Sequence, residues 1–369
     1  MPGSDNSFFD VLIAGGGIIG ASIAWRLARQ NLCVLLADAR HIGAEASSAA
    51  AGMLAPGGEF DQPSPLLDLA ISSLAAYDDF ARDLESDTGV SIELRHTGAL
   101  DIALNTAELD ALARRAAAQR SSGILSRVLD CDQLRALAPS IHRDAIGAVH
   151  YPDEAAVDPA ALMQALRAAC LARGVVIEGN SPITALESDA FSARAVLATR
   201  TIHARAAVLA AGAWSSQIAI TIDGHPHTLP RAYPIKGHLL GYRLSPGSLP
   251  LTIRHAHTYI LQRADGFTIA GSSTEDIGFD RTINSQIVSD LARHATALLP
   301  ALGQLQPDRV WIGFRPASCD PAPHLGRISS APLWLAYGHY RNGILLAPAT
   351  SQRLASEIAA ALAHPDTGR

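Results

Sequence analysis

DVLIAGGGIIGASIAWRLARQNLCVLLAD, residues 10–38, is the stretch that decides the fold. It opens on an apolar run ending at Ala14, which reads as a buried strand. GGGIIG follows at once, and apolar residues at helical spacing continue through residues 21–31. A second apolar run, residues 33–37, ends on Asp38. Strand, glycine turn, helix and strand together make one βαβ unit. Gly15 permits the tight turn, Gly17 lets a pyrophosphate approach the backbone, and Gly20 allows close packing of helix on strand. The first helical N–H groups then face an anion. Asp38 stands where a carboxylate binds a ribose diol and repels a 2′-phosphate. The unit therefore points to FAD or NAD rather than NADP.

Outward from this unit the chain alternates. A small-residue loop, GAEASSAAAGMLAPGG, covers residues 43–58. Residues 64–88 read as a helix, 92–104 as strands, and 106–121 as a long helix. Residues 146–152 read as a strand and turn. Asp158 then N-caps a helix to residue 173, with Pro159 at its first position. Residues 175–178 and 195–209 read as strands, the latter running into VLAAGAWSS (208–216). Strands and turns fill 230–284, and a helix is expected at 286–299. RVWIGFRP (309–316) and LWLAYGHY (333–340) read as strands, and a helix at 349–363 closes the chain. That order suits a nucleotide-binding domain assembled from separated pieces, with a second domain inserted twice.

Composition bounds the rest. The chain has 369 residues, 48% hydrophobic and 17% charged, with a net charge of −6. That excludes disorder and coiled coil, and a chain of this length buries a large core without staples. Mild acidity and the lack of a Lys/Arg cluster argue against nucleic acid or a membrane surface as partner. The apolar run 11–25 is too short to span a bilayer. No signal peptide is read at the N-terminus, so a cytoplasmic location is expected. Cys33, Cys131, Cys170 and Cys319 are widely spread with no CxxC. Three of them lie in apolar or helical patterns, where a buried reduced thiol is expected. No metal site is expected. His255 and His257 flank Ala256 and would point the same way on a strand, but no third ligand is evident. They are read as surface or pocket-rim residues.

Two further glycine-bearing strand ends, AAGAW (210–214) and GHYRNG (338–343), favour FAD over the shorter requirement of NAD. With these, GGGIIG, SSAAAGML, VLAAGAWSS, YPIKGH, WIGFRP and GHYRNGILLAPAT occur in an order that resembles the D-amino-acid-oxidase-like flavoprotein amine oxidases, above all their glycine-oxidase branch of thiamine biosynthesis. The likeness runs from Val11 to Ala363. It implies an α/β fold: an FAD-binding Rossmann-like domain of glutathione-reductase type, with an interleaved α+β substrate domain built on an antiparallel sheet. The FAD domain would comprise 1–88, 150–225 and 320–369, and the substrate domain 89–149 and 226–319.

By matched motif, Ile18, Ile19, Asp38 and Ala39 would contact the pyrophosphate and adenosine ribose. Ala46, Ser47, Ala51, Gly52 and Met53 would line the run toward the flavin, and Ile183 would hold adenine through its backbone. His339, Tyr340, Arg341, Asn342, Gly343, Ile344 and Leu345 would lie along the flavin ring. Arg341, Arg315 and Tyr259 resemble the family's groups for the substrate carboxylate. A guanidinium presents a planar fork that fits a carboxylate bidentately. The competing readings are a structural ion pair for each arginine, Asp320 being a candidate partner of Arg315, and a half-buried sheet aromatic for Tyr259. Lys236 is read as structural. Cys319 lies several residues past Gly313, near which covalent relatives attach the flavin, so FAD should be held noncovalently. Thr274 looks like a pocket wall, smaller and more polar than in some relatives.

No His–Asp or Glu pair is evident in the matched pocket for general-base work, which suits hydride transfer from Cα to flavin N5. The resemblance implies oxidative deamination of glycine or a similar small amino acid with O2, giving an imine or oxo acid, ammonia and H2O2. The alternatives are a D-amino-acid or imino-acid dehydrogenase serving a quinone or carrier, and a noncatalytic flavin-binding subunit. A homo-oligomer, dimer or tetramer, is implied by the family.

Overall fold

The computed structural model describes residues 8–364. Two large sheets organise them. The first has ten strands. At its centre Phe9–Ala14 runs parallel to Val34–Ala37 on one side and to Thr201–Leu209 on the other. Leu333–Tyr337 joins Thr201–Leu209, also in parallel. Residues 11–14, 34–37, 206–209 and 333–337 read as unbroken apolar runs because both faces are covered there. Helices Ile18–Ala28, Pro159–Ala172 and Gly343–Ala363 pack on one face around Trp25, Leu36, Val208 and Leu354. Leu12, Leu35, Leu186 and Leu209 fill the other.

The second sheet has eight strands. Its spine is Ala232–Arg243, paired antiparallel along its length with Arg309–Ser318 and also with Phe267–Gly271. Ala99–Ala103 departs from the antiparallel expectation, running parallel to Thr252–His255. Gly147–Tyr151 belongs to this sheet, so a boundary at residue 149 falls inside a strand.

Several sequence expectations are corrected. The helix expected over 64–88 breaks at Ala76 into Pro65–Ala75 and Tyr77–Thr88. Only Ala99–Ala103 of the 92–104 region is a strand, because Glu93 at φ 53° breaks the extended run and Arg95 makes just an isolated bridge to Ala156. Of the cysteines only Cys170 is buried; Cys33 precedes its strand and is exposed, Cys131 is half-buried at a helix start, and Cys319 is exposed. His255 and His257 do not share a strand face. Ala256, at φ 50°, forms the hairpin turn between Thr252–His255 and Thr258–Gln262.

The last helix begins at Gly343, six residues before the expected start, and carries Pro348 inside it. Proline has no N–H, so the carbonyl four residues back, that of Ile344, loses its helical donor. The buried Tyr77 hydroxyl donates to that carbonyl at 2.6 Å. Burial also raises the Tyr77 pKa, keeping the donor protonated. A helix containing proline is thus kept intact up to its first turn. Tyr77→Phe strands a buried acceptor and should cost about 1–3 kcal/mol, read as a lowered Tm and urea midpoint.

Candidate active site

A cavity of about 820 Å³ lies between the two sheets, within the size range of cofactor and ligand sites. It extends from Asp38 and Ile183 past the glycine turn to Tyr259, Arg315 and Arg341. Gly15, Gly17, Ile18, Ile19, Ala39, Ala46, Ser47, Ala51, Gly52 and Met53 border it, as do His339, Tyr340, Asn342, Gly343, Ile344, Thr274 and Gly313. Two expected contacts do not. Gly20 packs beneath the turn, where a Cβ would stand 1.9 Å from the Gly15 carbonyl oxygen. Leu345 turns into the core on the inner face of its helix.

The glycine turn is built as its sequence requires. Gly15 has φ 113°, and a Cβ there would lie 2.4 Å from the Ala210 carbonyl oxygen. Asp38 accepts the Gly16 N–H at 2.6 Å and the Arg40 N–H at 2.7 Å, tying the end of the second strand to the turn. Desolvation raises its pKa against these bonds. Ser47 accepts the Ile18 N–H at 2.9 Å, fastening the small-residue loop to the first helical turn. Trp311 and Arg263 hold the same loop from the second sheet. The Trp311 indole donates to the Ala49 carbonyl at 3.0 Å, and the buried Arg263 donates to the carbonyls of Ala51 and Val157. Neither residue was singled out by sequence, since nothing in a strand pattern reveals which carbonyl a side chain will meet.

At the opposite end, Tyr340 N–H donates to the Pro316 carbonyl at 2.9 Å, binding the GHYRNG turn to the WIGFRP strand. His339 is buried there, and desolvation pushes its pKa down to about 3, so it is a neutral imidazole. Arg315 crosses Gly237 of the neighbouring strand, where a Cβ would come within 2.5 Å of its guanidinium. Its partners are the Ser272 hydroxyl at 2.6 Å, the Ser273 carbonyl at 3.1 Å and the Lys236 carbonyl at 3.4 Å. All are neutral, and Asp320 is not among them. Tyr259 lies beside it, its pKa raised chiefly by burial and drawn back by Arg315. Lys236 is buried and donates to Asp280 at 2.8 Å.

Arg341 does have a carboxylate partner. Its Nε donates to Glu59 at 2.6 Å. Glu59 lines the cavity and was missed by sequence reading, because it stands 282 residues from Arg341 in a glycine-rich loop with no motif of its own. Six arginines border the cavity. Arg40 and Arg281 pair with Glu45, Arg115 and Arg254 with Asp101, and Arg341 with Glu59. Arg315 alone among these has no acidic partner among the described residues.

His255 pairs with Glu108 at 3.2 Å, whereas His257 borders the cavity. The exposed Cys319 and Asp320 come together with the half-buried His324, at the start of strand His324–Arg327, outside it.

Comparison with known proteins places this architecture. The model of the FAD dependent oxidoreductase family, DAO, matches residues 10–357. The chain belongs to that family. The oxidoreductase is 32% identical to the glycine oxidase of Bacillus licheniformis, over 95% of this chain and 93% of that one. It is 34% identical to the bifunctional protein ThiO/ThiG of Synechocystis sp., over 95% of this chain but 51% of that protein. A crystal structure of glycine oxidase from Geobacillus kaustophilus superposes with a TM-score of 0.90 at 30% identity, covering 96% of this chain and 95% of that one.

FAD is the family's cofactor, and the residues present fit it. The oxidoreductase offers a Cβ-free turn at Gly15, the N-terminus of helix Ile18–Ala28 and one continuous cleft reaching both sheets. The helix terminus suits a pyrophosphate. None of the four cysteines borders the cleft. No helix among the described residues is long and apolar enough to cross a membrane.

Proposed function

We propose that the protein is an FAD-dependent oxidase of glycine or a similarly small amino acid. The observation that carries this reading is Arg315, among the described residues the one cavity arginine held by neutral partners only. A guanidinium kept half-buried without a counter-charge is set up to receive an anion. A substrate carboxylate supplies one, with the Tyr259 hydroxyl as a second donor. Arg341, already matched by Glu59, guards the approach instead of anchoring the acid. This departs from the weight the motif alone puts on Arg341.

FAD, when bound, would supply the acceptor for a hydride from Cα and the means of passing its electrons to oxygen. The chain's own residues orient the amino acid. Arg315 and Tyr259 would hold the carboxylate so that the Cα–H faces the ring, which is the proximity contribution. The neutral His339 adds no competing charge beside the ring. The product is an imine, which hydrolyses to the oxo acid and ammonia. Likeness to glycine oxidases and to ThiO/ThiG supports glycine as substrate and a place in thiamine biosynthesis. Thr274, exposed on the cavity wall, leaves room for sarcosine or D-alanine.

Anaerobic mixing with glycine, sarcosine, D-alanine and D-proline should bleach the flavin with the first two or three. In air, one H2O2 should form per substrate consumed. Bleaching without oxygen uptake would reassign the chain to the carrier-linked dehydrogenases. No bleaching by any of the four would overturn the proposal.

A further inference from the structure

Glu59 stands on a short turn, Pro56–Glu59, that is fixed from below by buried polar groups. The Gln119 amide, fully buried, donates to the Gly57 carbonyl at 2.8 Å and also to the Phe60 carbonyl. Glu154, 3% exposed, accepts the Gly58 N–H at 3.0 Å. Glu154 is itself gripped by Arg254 at 2.7 Å. The Glu59 carboxylate therefore has a fixed place and is no wandering surface charge. Its side chain is 13% exposed, against 46% for Arg341. The inner member of the pair is the acid.

Arg341 uses its Nε on Glu59, which leaves the rest of the fork toward the cavity. The Tyr340–Pro316 bond sets the Arg341 turn beside the Arg315 strand, Glu59 meets Arg341, and Tyr259, paired opposite Gly271, borders the same cavity, so the four groups share one corner. Counting charge there, two guanidinium groups and one carboxylate leave a single net positive charge. One anionic group is matched by it. A second would face the Glu59 carboxylate and a guanidinium already satisfied. Discrimination by a built-in repulsive group is a general device of specific sites.

We propose that Glu59 sets the charge class of the substrate: by neutralising Arg341 it restricts the site to amines bearing one carboxylate and refuses those bearing two. This rests on Arg315 as the anchor of the first carboxylate. Releasing Arg341 should turn it into a seat for a second acidic group, as in iminodiacetate or another amino dicarboxylate.

The test uses flavin-loaded enzyme and two unreactive probes, glycolate as monoanion and malonate as dianion, with Kd read from perturbation of the flavin spectrum. In Glu59→Gln, which keeps size and a hydrogen-bonding oxygen, the ratio Kd(glycolate)/Kd(malonate) should rise roughly tenfold or more, the scale of one charge-assisted bond. The ratio of kcat/KM for iminodiacetate to that for sarcosine should rise with it. The added substitution Arg341→Gln should cancel both gains. Ratios that stay within twofold of the parent would overturn the proposal, as would gains that persist without Arg341. If Glu59→Gln does not fold, Arg341→Gln alone serves, because it exposes the uncompensated acid: malonate should then weaken at least tenfold more than glycolate, and equal weakening would refute the assignment. Arg315→Ala separates the two readings. Unchanged glycolate binding in that variant would sink the anchor itself, whatever Glu59 does.

Discussion

Arg315→Ala is expected to lower kcat/KM for the preferred amino acid by about 10³-fold while the purified protein stays yellow. Charge-assisted bonds to a carboxylate contribute about 1.5–3 kcal/mol each. The fork would make two, and losing it would also lose the alignment of Cα with the ring, so a total near 4 kcal/mol is a moderate sum. The flavin should remain because the glycine turn at Gly15 and the small-residue loop, held by Ser47, Arg263 and Trp311, do not depend on the Arg315 side chain. Arg315→Lys should recover only part of the loss, since an ammonium keeps the charge but not the planar fork. Gly237→Val should reproduce much of it without touching the arginine, because its side chain would occupy the guanidinium's place. The checks are steady-state kinetics and flavin content per protein. Kinetics within threefold of the parent in Arg315→Ala would remove the anchor from the mechanism.

Gly15→Val should leave the protein largely without flavin. The position has φ 113°, which costs a β-branched residue about 1–3 kcal/mol in backbone strain. Its Cβ would also lie 2.4 Å from the Ala210 carbonyl oxygen, so the turn must open and the pyrophosphate seat is lost. Flavin occupancy should fall roughly tenfold or more, and the melting temperature should drop, because a tightly bound cofactor stabilises the folded state. Added FAD should restore little of either. Visible absorbance per protein and a thermal melt with and without FAD measure both effects. A fully yellow variant with unaltered melting would show that the turn does not seat the dinucleotide.

The legible part of the site was the part coded locally. GGGIIG and Asp38 lie in one βαβ unit, so spacing alone placed turn, helix end and carboxylate together. WIGFRP and GHYRNG could be singled out as motifs, and Arg315, Tyr259 and Arg341 do border one cavity. Their partners were not legible. The structural ion pair weighed for Arg315 with Asp320 does not form, whereas Arg341 is paired with a carboxylate from a loop that carries no signature. Cys33 and Cys131 read as buried from apolar neighbours, yet each sits at the end of an element where solvent reaches it. The helix expected from residue 349 in fact runs through Pro348, and the hydroxyl of Tyr77, bonded to the Ile344 carbonyl, shows how that is tolerated.

Local chemistry is enough to write a strand, a glycine turn and an anion-facing helix, because φ/ψ limits and hydrophobic period act over a few neighbouring residues. Those same residues point to a dinucleotide, FAD or NAD, without choosing between them. Charge balance in a cavity is a different kind of property. It depends on which side chains from opposite ends of the chain arrive within hydrogen-bond distance after both sheets have packed. That meeting left Arg315 without a counter-ion among the described residues and gave one to Arg341, and no pattern along the chain distinguishes the two arginines beforehand.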